Sequence, residues 1–100
     1  MIVKWLHQAL LDREGQIRHI FTQNPQAAIA LDDVTRHQAK MLADHPEAGR
    51  SGRLQGTREL VIPRTAFLLI YRIDRKAQRV EILRLLHGAS AGRRDLSLKP

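Results

Sequence analysis

The sequence predicts an α+β fold in the order β-α-α-β-β-β, with an antiparallel sheet packed against two helices. Three observations indicate this class. Apolar residues recur at helical spacing through the first half of the chain. Runs rich in Val, Ile, Leu and Tyr fill the second half and have the composition of strands. Polar connections between those runs are short, and three consecutive strands after two helices favour an antiparallel sheet with both helices on one face.

The first two predicted elements are an edge strand and a helix. Ile2–Trp5 is a short apolar run with β-branched residues, which suits a strand. Five apolar residues after it gather on one side of a helix, namely Leu6, Leu10, Ile17, Ile20 and Phe21. Gly15 weakens this predicted helix by about 1 kcal/mol relative to Ala.

A second helix is predicted from Pro25 to about residue 43. Asn24 can cap the free N–H groups of the first turn, and Pro25 lacks an N–H that would have no partner at that position. The predicted apolar side consists of Ala27, Leu31, Val34, Met41 and Leu42.

The second half of the chain begins with a loop and continues as strands. Residues 45–56 read HPEAGRSGRLQG, and their Pro and Gly residues predict a basic connecting loop. Pro63 marks a turn between the first two of three predicted strands, which cover residues 57–62, 67–73 and 79–86. Trp5 and Tyr71 fall within predicted strands and are expected in the core.

The last two predicted strands form a hairpin. They are joined by DRKAQ, residues 74–78, which is short enough for an antiparallel connection. If Asp74 lies opposite Arg79, then Arg72 lies opposite Glu81. That cross-strand pair of opposite charges supports the register.

The chain is short and strongly basic. Its 100 residues allow one domain, predicted at residues 1–89, followed by a basic C-terminal tail at residues 90–100. Lys and Arg number 17 against 10 Asp and Glu, which leaves a net charge of +7. This charge predicts a polyanionic partner, and the alternative is a basic surface that only maintains solubility.

Composition and spacing exclude several kinds of site. Cys is absent, so disulfides and thiolate zinc sites are excluded. No two histidines show an HxxxH or HExxH pairing, so no metal site is expected. No GKS or GKT follows the glycines of residues 49–56, so no phosphate-binding loop and no other cofactor is expected. The N-terminus lacks the apolar run of a signal peptide, and no stretch approaches the roughly 20 apolar residues of a membrane span, so we expect a cytoplasmic protein.

Five strings in the chain resemble the RelE/ParE superfamily of bacterial toxins and occur in the order that the family shows. They are DREGQI at 12–17, NPQAA at 24–28, HPEAGRSGR at 45–53, GTRELVI at 56–62 and ILRLLHGA at 82–89. The resemblance implies the RelE/ParE-like fold and the toxin of a type II toxin–antitoxin system. It also implies a cognate antitoxin that wraps around the toxin, and the charge of +7 favours an acidic one.

The resemblance implies one of two ways of arresting growth. In the RelE branch the toxin enters the ribosomal A site and cuts messenger RNA without a metal, whereas in the ParE branch it inhibits DNA gyrase without being an enzyme. We expect ribosome-dependent mRNA cleavage. The alternative is gyrase inhibition, in which the basic tail would carry the binding energy, and a second alternative is a non-toxic relative that only binds an antitoxin.

Cleavage of RNA without a metal needs a base for the 2′-OH, a cation for the phosphorane and an acid for the leaving oxygen. Arg53 and Arg58 are predicted to stabilise the phosphorane, because a guanidinium forks onto phosphate oxygens. His87 ends the last strand, where the resemblance implies the general acid. Four further arginines are predicted to contact RNA or another target, namely Arg50, Arg84, Arg93 and Arg94.

Each predicted site residue also has a structural alternative. Arg58 could form a structural salt bridge, His87 could make a structural hydrogen bond, and the loop arginines could simply be solvated. The candidates for the general base are Glu47 and Glu59, and each is expected to be a surface charge. Leu68 stands where some nuclease members carry Arg, which favours the gyrase alternative.

Overall fold

The computed structural model describes residues 1–88, which form two helices and five strands. The helices are α1 (His7–Phe21) and α2 (Pro25–Met41). The strands are β1 (Ile2–Trp5), β2 (Arg50–Ser51), β3 (Arg58–Val61), β4 (Phe67–Asp74) and β5 (Arg79–His87). The predicted α+β fold is confirmed, and the two residues of β2 are an addition within the predicted loop. Asn24 caps α2 as predicted, since its side chain accepts a hydrogen bond from the Ala27 N–H at 3.1 Å.

The five strands form one sheet in the order β1-β5-β4-β3-β2. The pairs β5–β4, β4–β3 and β3–β2 are antiparallel, as predicted, but β1 runs parallel to β5. A parallel neighbour is possible here because the two helices connect β1 back to the other end of the sheet before the antiparallel strands begin. The sequence pattern of β1 alone does not reveal its direction.

The hairpin of β4 and β5 has the predicted register. Asp74 lies opposite Arg79 and Arg72 lies opposite Glu81. Arg72 donates from Nε to Glu81 Oε1 at 2.7 Å, and Arg79 donates from Nε to Oε2 at 2.9 Å. One carboxylate therefore binds two guanidinium groups beside the turn.

The main core lies between the helices and one face of the sheet. Tyr71 is fully buried there, as expected, with Ala39 and Leu42 packing against the same cluster. Trp5 is partly buried against this core, and the Arg13 guanidinium lies 5.0 Å from the centre of its ring. Small residues of the helices, Ala9, Ala28 and Ala39, are buried, and Ala9 and Ala39 belong to the same cluster as the sheet residues, which permits close packing.

The predicted apolar sides of the helices are only partly correct. Leu31 and Leu42 are buried as expected, but Ala27 is exposed. In α1, Leu10 and Phe21 are 46% and 50% exposed. The spacing correctly identified the helices, but it could not show that small residues turn toward the sheet or that some of the larger ones line surface grooves.

Candidate functional site at the basic end of the sheet

The loop before β3 is anchored by a buried tyrosine of β4. We call residues 45–56 the basic loop. The Tyr71 hydroxyl donates to the Pro46 carbonyl at 2.7 Å and accepts from the Gly49 N–H at 2.8 Å. Burial raises the pKa of Tyr71, partly offset by the hydrogen bond from Gly49. The phenol therefore keeps its proton and serves as an anchor.

Gly49 is required for this anchor because no side chain fits beside Tyr71. A Cβ at Gly49 would lie 2.8 Å from the Tyr71 hydroxyl and 2.9 Å from the Glu59 carbonyl oxygen. Both neighbours belong to strands of the sheet, so neither can move away easily. The glycine thus lets the basic loop lie directly against the end of the sheet.

Arg58 of β3 holds the same part of the basic loop as Tyr71. It lies across from Tyr71 in the register of β3 and β4, so the two side chains share a face. Its Nη1 donates to the Gly49 carbonyl at 2.8 Å and approaches the Glu47 carbonyl at 3.5 Å. The predicted phosphorane stabiliser is therefore a structural clamp on main-chain carbonyls in this state of the protein.

Glu59 braces the part of the loop that carries two of the predicted arginines. Its carboxylate accepts from Arg50 Nη2 at 3.3 Å and from the Arg53 backbone N–H at 3.1 Å. The expectation that Glu59 is a surface charge was wrong, since the residue is only 3% exposed. Burial follows from its position in β3 opposite Ile70, and sequence spacing gave no signal of it.

The basic loop and the β4–β5 hairpin enclose a polar groove of about 390 Å³. Arg58 and Arg75 line it, and no acidic side chain does so among the described residues. Glu47 is an exposed surface charge, as expected, and pairs with Arg75 at 2.6 Å. Arg50 remains 63% exposed at its side chain although it pairs with Glu59. This end of the sheet can offer guanidinium groups to an anionic surface.

His87 lies at the other end of the sheet. It is exposed and pairs with Phe67 across β4 and β5, with ring centroids 5.4 Å apart and planes at 81°. Arg58 pairs instead with Tyr71. Phe67 and Tyr71 are four residues apart in β4, which is roughly 13 Å along the strand at about 3.3 Å per residue. The structure brings Arg50, Arg53 and Arg58 to one end and does not bring His87 to them.

The remaining predicted arginines lie elsewhere. Arg84 donates to Asp12 of α1 at 2.7 Å, and the two side chains are 17% and 10% exposed, so this guanidinium is used within the fold. Arg93, Arg94 and the predicted tail lie outside the described residues. Across residues 1–88, no three His, Asp or Glu side chains are grouped as metal ligands, and neither helix is both long and apolar enough to span a membrane.

Comparison with known proteins identifies the family. Residues 3–92 match the model of the ParE toxin of type II toxin–antitoxin systems, parDE. The chain belongs to the ParE toxin family. A relative described as "Putative toxin Y4kP" from Sinorhizobium fredii is 36% identical to this ParE-family toxin over 88 residues, which is 86% of each chain. The RelE/ParE resemblance is confirmed.

Solved structures agree with this assignment. A structure of the chromosomal ParDE toxin–antitoxin system from P. aeruginosa matches this ParE-family toxin with a TM-score of 0.77 and 26% identity, covering 87% of this chain and 95% of that one. The RelBE2 toxin–antitoxin complex of Mycobacterium tuberculosis matches with a TM-score of 0.56 and 25% identity, covering 86% and 95%. The protein is the toxin of a type II system, and these neighbours support an antitoxin as its partner.

Proposed function

We propose that this toxin arrests growth by binding DNA gyrase, as the ParE branch does, and does not cut messenger RNA. The match to the ParE toxin model over residues 3–92 supports this choice of branch. Gyrase inhibition needs no proton transfer, so the separation of Arg58 from His87 is no obstacle to it. Both gyrase and the ribosome are inside the bacterial cell, and the proposal therefore includes a cytoplasmic location.

The observation that carries the proposal is the distance between the predicted catalytic residues. A group that stabilises the phosphorane and a group that protonates the leaving oxygen must contact the same phosphodiester. Arg58 lies opposite Tyr71 and binds a carbonyl of the basic loop, whereas His87 packs on Phe67, four residues earlier in β4. This separation supports a mode of action in which the two groups do not share a phosphodiester.

The surface that we assign to the target is the basic loop, with the tail as a second contact. Arg50 and Arg53 lie on the stretch that Glu59 braces, so their positions are set before a target arrives. A pre-positioned basic surface on a chain of net charge +7 speeds association with an acidic region of a target. Arg93 and Arg94 of the tail would supply further positive charge to the same target.

Two parallel reactions test the proposal. In the first, the purified chain is incubated with gyrase and supercoiled plasmid, and protein-linked DNA breaks are scored as linear plasmid after detergent and protease. In the second, it is added to ribosomes translating a defined message, and new 5′ ends are mapped by primer extension. We expect linear plasmid in the first reaction and an intact message in the second.

Two variants distinguish gyrase inhibition from mRNA cleavage. The His87→Ala variant should yield as much linear plasmid from trapped gyrase–DNA breaks as the wild type does. Deletion of residues 90–100 should abolish this trapping. Cuts at the A-site codon that disappear in His87→Ala would overturn the proposal in favour of mRNA cleavage. Harmless overexpression of the wild-type chain would instead indicate a non-toxic relative.

A matched pair of glutamates tests the role of the basic loop. Glu59→Gln keeps the shape of the side chain but removes the charge that holds Arg50, so trapping should fall several-fold. Glu47→Gln changes the same functional group at an exposed position in the loop and should trap as the wild type does. Equal trapping by the two variants would remove the basic loop from the target surface.

A further inference from the structure

The outward side of α1 carries large apolar side chains that the fold leaves in solvent. Five exposed residues recur at i, i+3, i+4, i+7 and i+10 and so share one side of the helix, namely Leu11, Glu14, Gly15, Arg18 and Phe21. We call these five residues the α1 stripe. Leu11 and Phe21, at its two ends, are 46% and 50% exposed. Apolar surface at both ends of one helix side suits a contact with another molecule.

Gly15, in the middle of the α1 stripe, serves no purpose within the chain that requires a glycine. Its backbone is helical and not left-handed, so the conformation does not call for a glycine. A Cβ added there would meet nothing within 4 Å among the described residues, so packing does not require one either. A glycine inside a helix nevertheless lowers stability relative to alanine. The missing side chain is explained if a second helix lies close to α1 at this point.

The α1 stripe is complementary to itself in the antiparallel direction. Glu14 and Arg18 lie two residues before and two residues after Gln16. Leu11 and Phe21 lie five residues before and five residues after it. If two copies of α1 lie antiparallel across a two-fold axis at Gln16, Glu14 of each copy faces Arg18 of the other. Leu11 of each copy then faces Phe21 of the other, so opposite charges meet in the middle and apolar side chains meet at both ends.

Local charge balance makes this face suitable for a second copy of the chain. The chain carries a net charge of +7, so most faces of two copies repel each other. A groove of about 570 Å³ adjoins the stripe, and its charged lining residues are two arginines and two acids, Arg13, Arg18, Glu14 and Asp32. Each arginine pairs with one of the acids. This face therefore offers little preference for an acidic partner and little repulsion to another copy.

We propose that the α1 stripe is an interface between two copies of this toxin, related by a two-fold axis near Gln16. The pair of Glu14 and Arg18 is 62% and 71% exposed, so the two pairs can combine into a set of four alternating charges around the axis. Leu11 of each copy covers Phe21 of the other. The interface leaves the basic loop free, since none of the residues that line its polar groove belongs to the stripe. The proposal concerns the toxin without its antitoxin and does not depend on gyrase as the target.

The test is the mass of the purified toxin in solution without antitoxin, measured by sedimentation equilibrium. A contact along one helix buries a small area, so we expect a dimer with a dissociation constant on the order of 10 µM. Leu11→Glu places a carboxylate against Phe21 of the second copy and should raise this constant about tenfold or more. Gly15→Gln places a side chain between the two helices and should raise it by a similar factor.

Exchange of the two charges tests the antiparallel register. Glu14→Arg and Arg18→Glu each bring like charges together across the axis, and each should weaken the dimer about tenfold. The double variant restores the alternation of charge and should dimerise within about twofold of the wild type. As controls, Asp33→Arg and Arg36→Glu make the same changes of charge in an exposed ion pair of α2, so both should leave the dimer unchanged.

Thermal melting distinguishes loss of the dimer from loss of the fold. At a concentration below the dissociation constant, Gly15→Gln should melt above the wild type, because Gln favours a helix more than Gly does. A toxin that stays monomeric at concentrations well above that constant would overturn the proposal. A dimer that persists in both Leu11→Glu and Gly15→Gln would also overturn it, as would one that Asp33→Arg weakens as much as Glu14→Arg does.

Binding of the antitoxin encoded beside the toxin separates a second copy from another occupant of the α1 stripe. Calorimetry of Leu11→Glu with that antitoxin should give an affinity close to that of the wild type. A monomeric wild-type toxin whose affinity for the antitoxin falls in Leu11→Glu would assign the stripe to the antitoxin and overturn the proposal. The sedimentation result decides the interface whether or not gyrase is trapped, so its failure is distinguishable from failure of the proposed target.

Discussion

Asp12 and Arg84 join the first helix to the last strand through a two-point ion pair. Arg84 donates from Nε to Asp12 Oδ2 at 2.7 Å and from Nη2 to Oδ1 at 3.2 Å, and the Leu85 N–H donates to the same Oδ2 at 3.0 Å. β1 pairs with β5 only from Arg79 to Ile82. Asp12 therefore supplies a hydrogen-bond acceptor to the edge of β5 where β1 has ended.

Asp12→Ala should lower the free energy of unfolding by about 3 kcal/mol, because it leaves a mostly buried guanidinium and a strand N–H without their acceptor. Denaturant titration of the purified chain measures the change. Asp33→Ala, which removes an exposed partner of Arg36, should shift the value by less than about 1 kcal/mol. Equal effects of the two substitutions would show that the Asp12 pair contributes little.

Tyr71→Phe should lower the free energy of unfolding by about 1–3 kcal/mol, because the Gly49 N–H and the Pro46 carbonyl lose their buried partner. The ring still fills the core, so the fold should persist. Limited proteolysis should cut the basic loop faster in the variant than in the wild type. An unchanged cleavage rate would mean that Arg58 alone suffices to hold the loop.

Glu81 should make stability fall in acid. The hydrogen bond from Arg72, with the charges of Arg72 and Arg79, holds the pKa of this carboxyl below its usual value of 4.5. A depressed pKa in the folded state stabilises the protein above the unfolded pKa, and that contribution is lost as the pH falls through the folded pKa. Comparing the unfolding free energies of wild type and Glu81→Gln from pH 7 to pH 3 should show a gap that narrows below about 4.5. A gap that is constant with pH would contradict this coupling.

Two turn residues have backbone conformations that should lower the stability of the protein. Arg64 and Gln78 have φ values of 63° and 54°, where glycine is favoured. Arg64→Gly and Gln78→Gly should each relieve about 1 kcal/mol of strain and raise the melting temperature. Thermal melting of the purified variants measures the change. An unchanged or lower melting temperature in both variants would contradict a cost of these turn conformations.

Local patterns carried most of the information about the fold. The Asn24-Pro25 start of α2 and the opposition of Arg72 to Glu81 depend on residues close in sequence, and the structure confirms both. Arg72 and Glu81 were predictable because a short hairpin turn determines the register of its strands. Ala27 was misplaced because helical spacing shows which residues share a side, but it does not show where the sheet beneath them ends.

The sequence by itself determined the order of the elements, the basic character of the chain and its resemblance to the toxin family. Only the tertiary structure decided that Arg58 clamps the basic loop, that Glu59 is buried beneath Arg50, and that His87 lies at the far end of the sheet. The physical reason is that hydrogen bonding and burial depend on the pairing of whole strands. Arg58 and His87 pair with Tyr71 and Phe67 of β4, which lie roughly 13 Å apart along that strand at about 3.3 Å per residue.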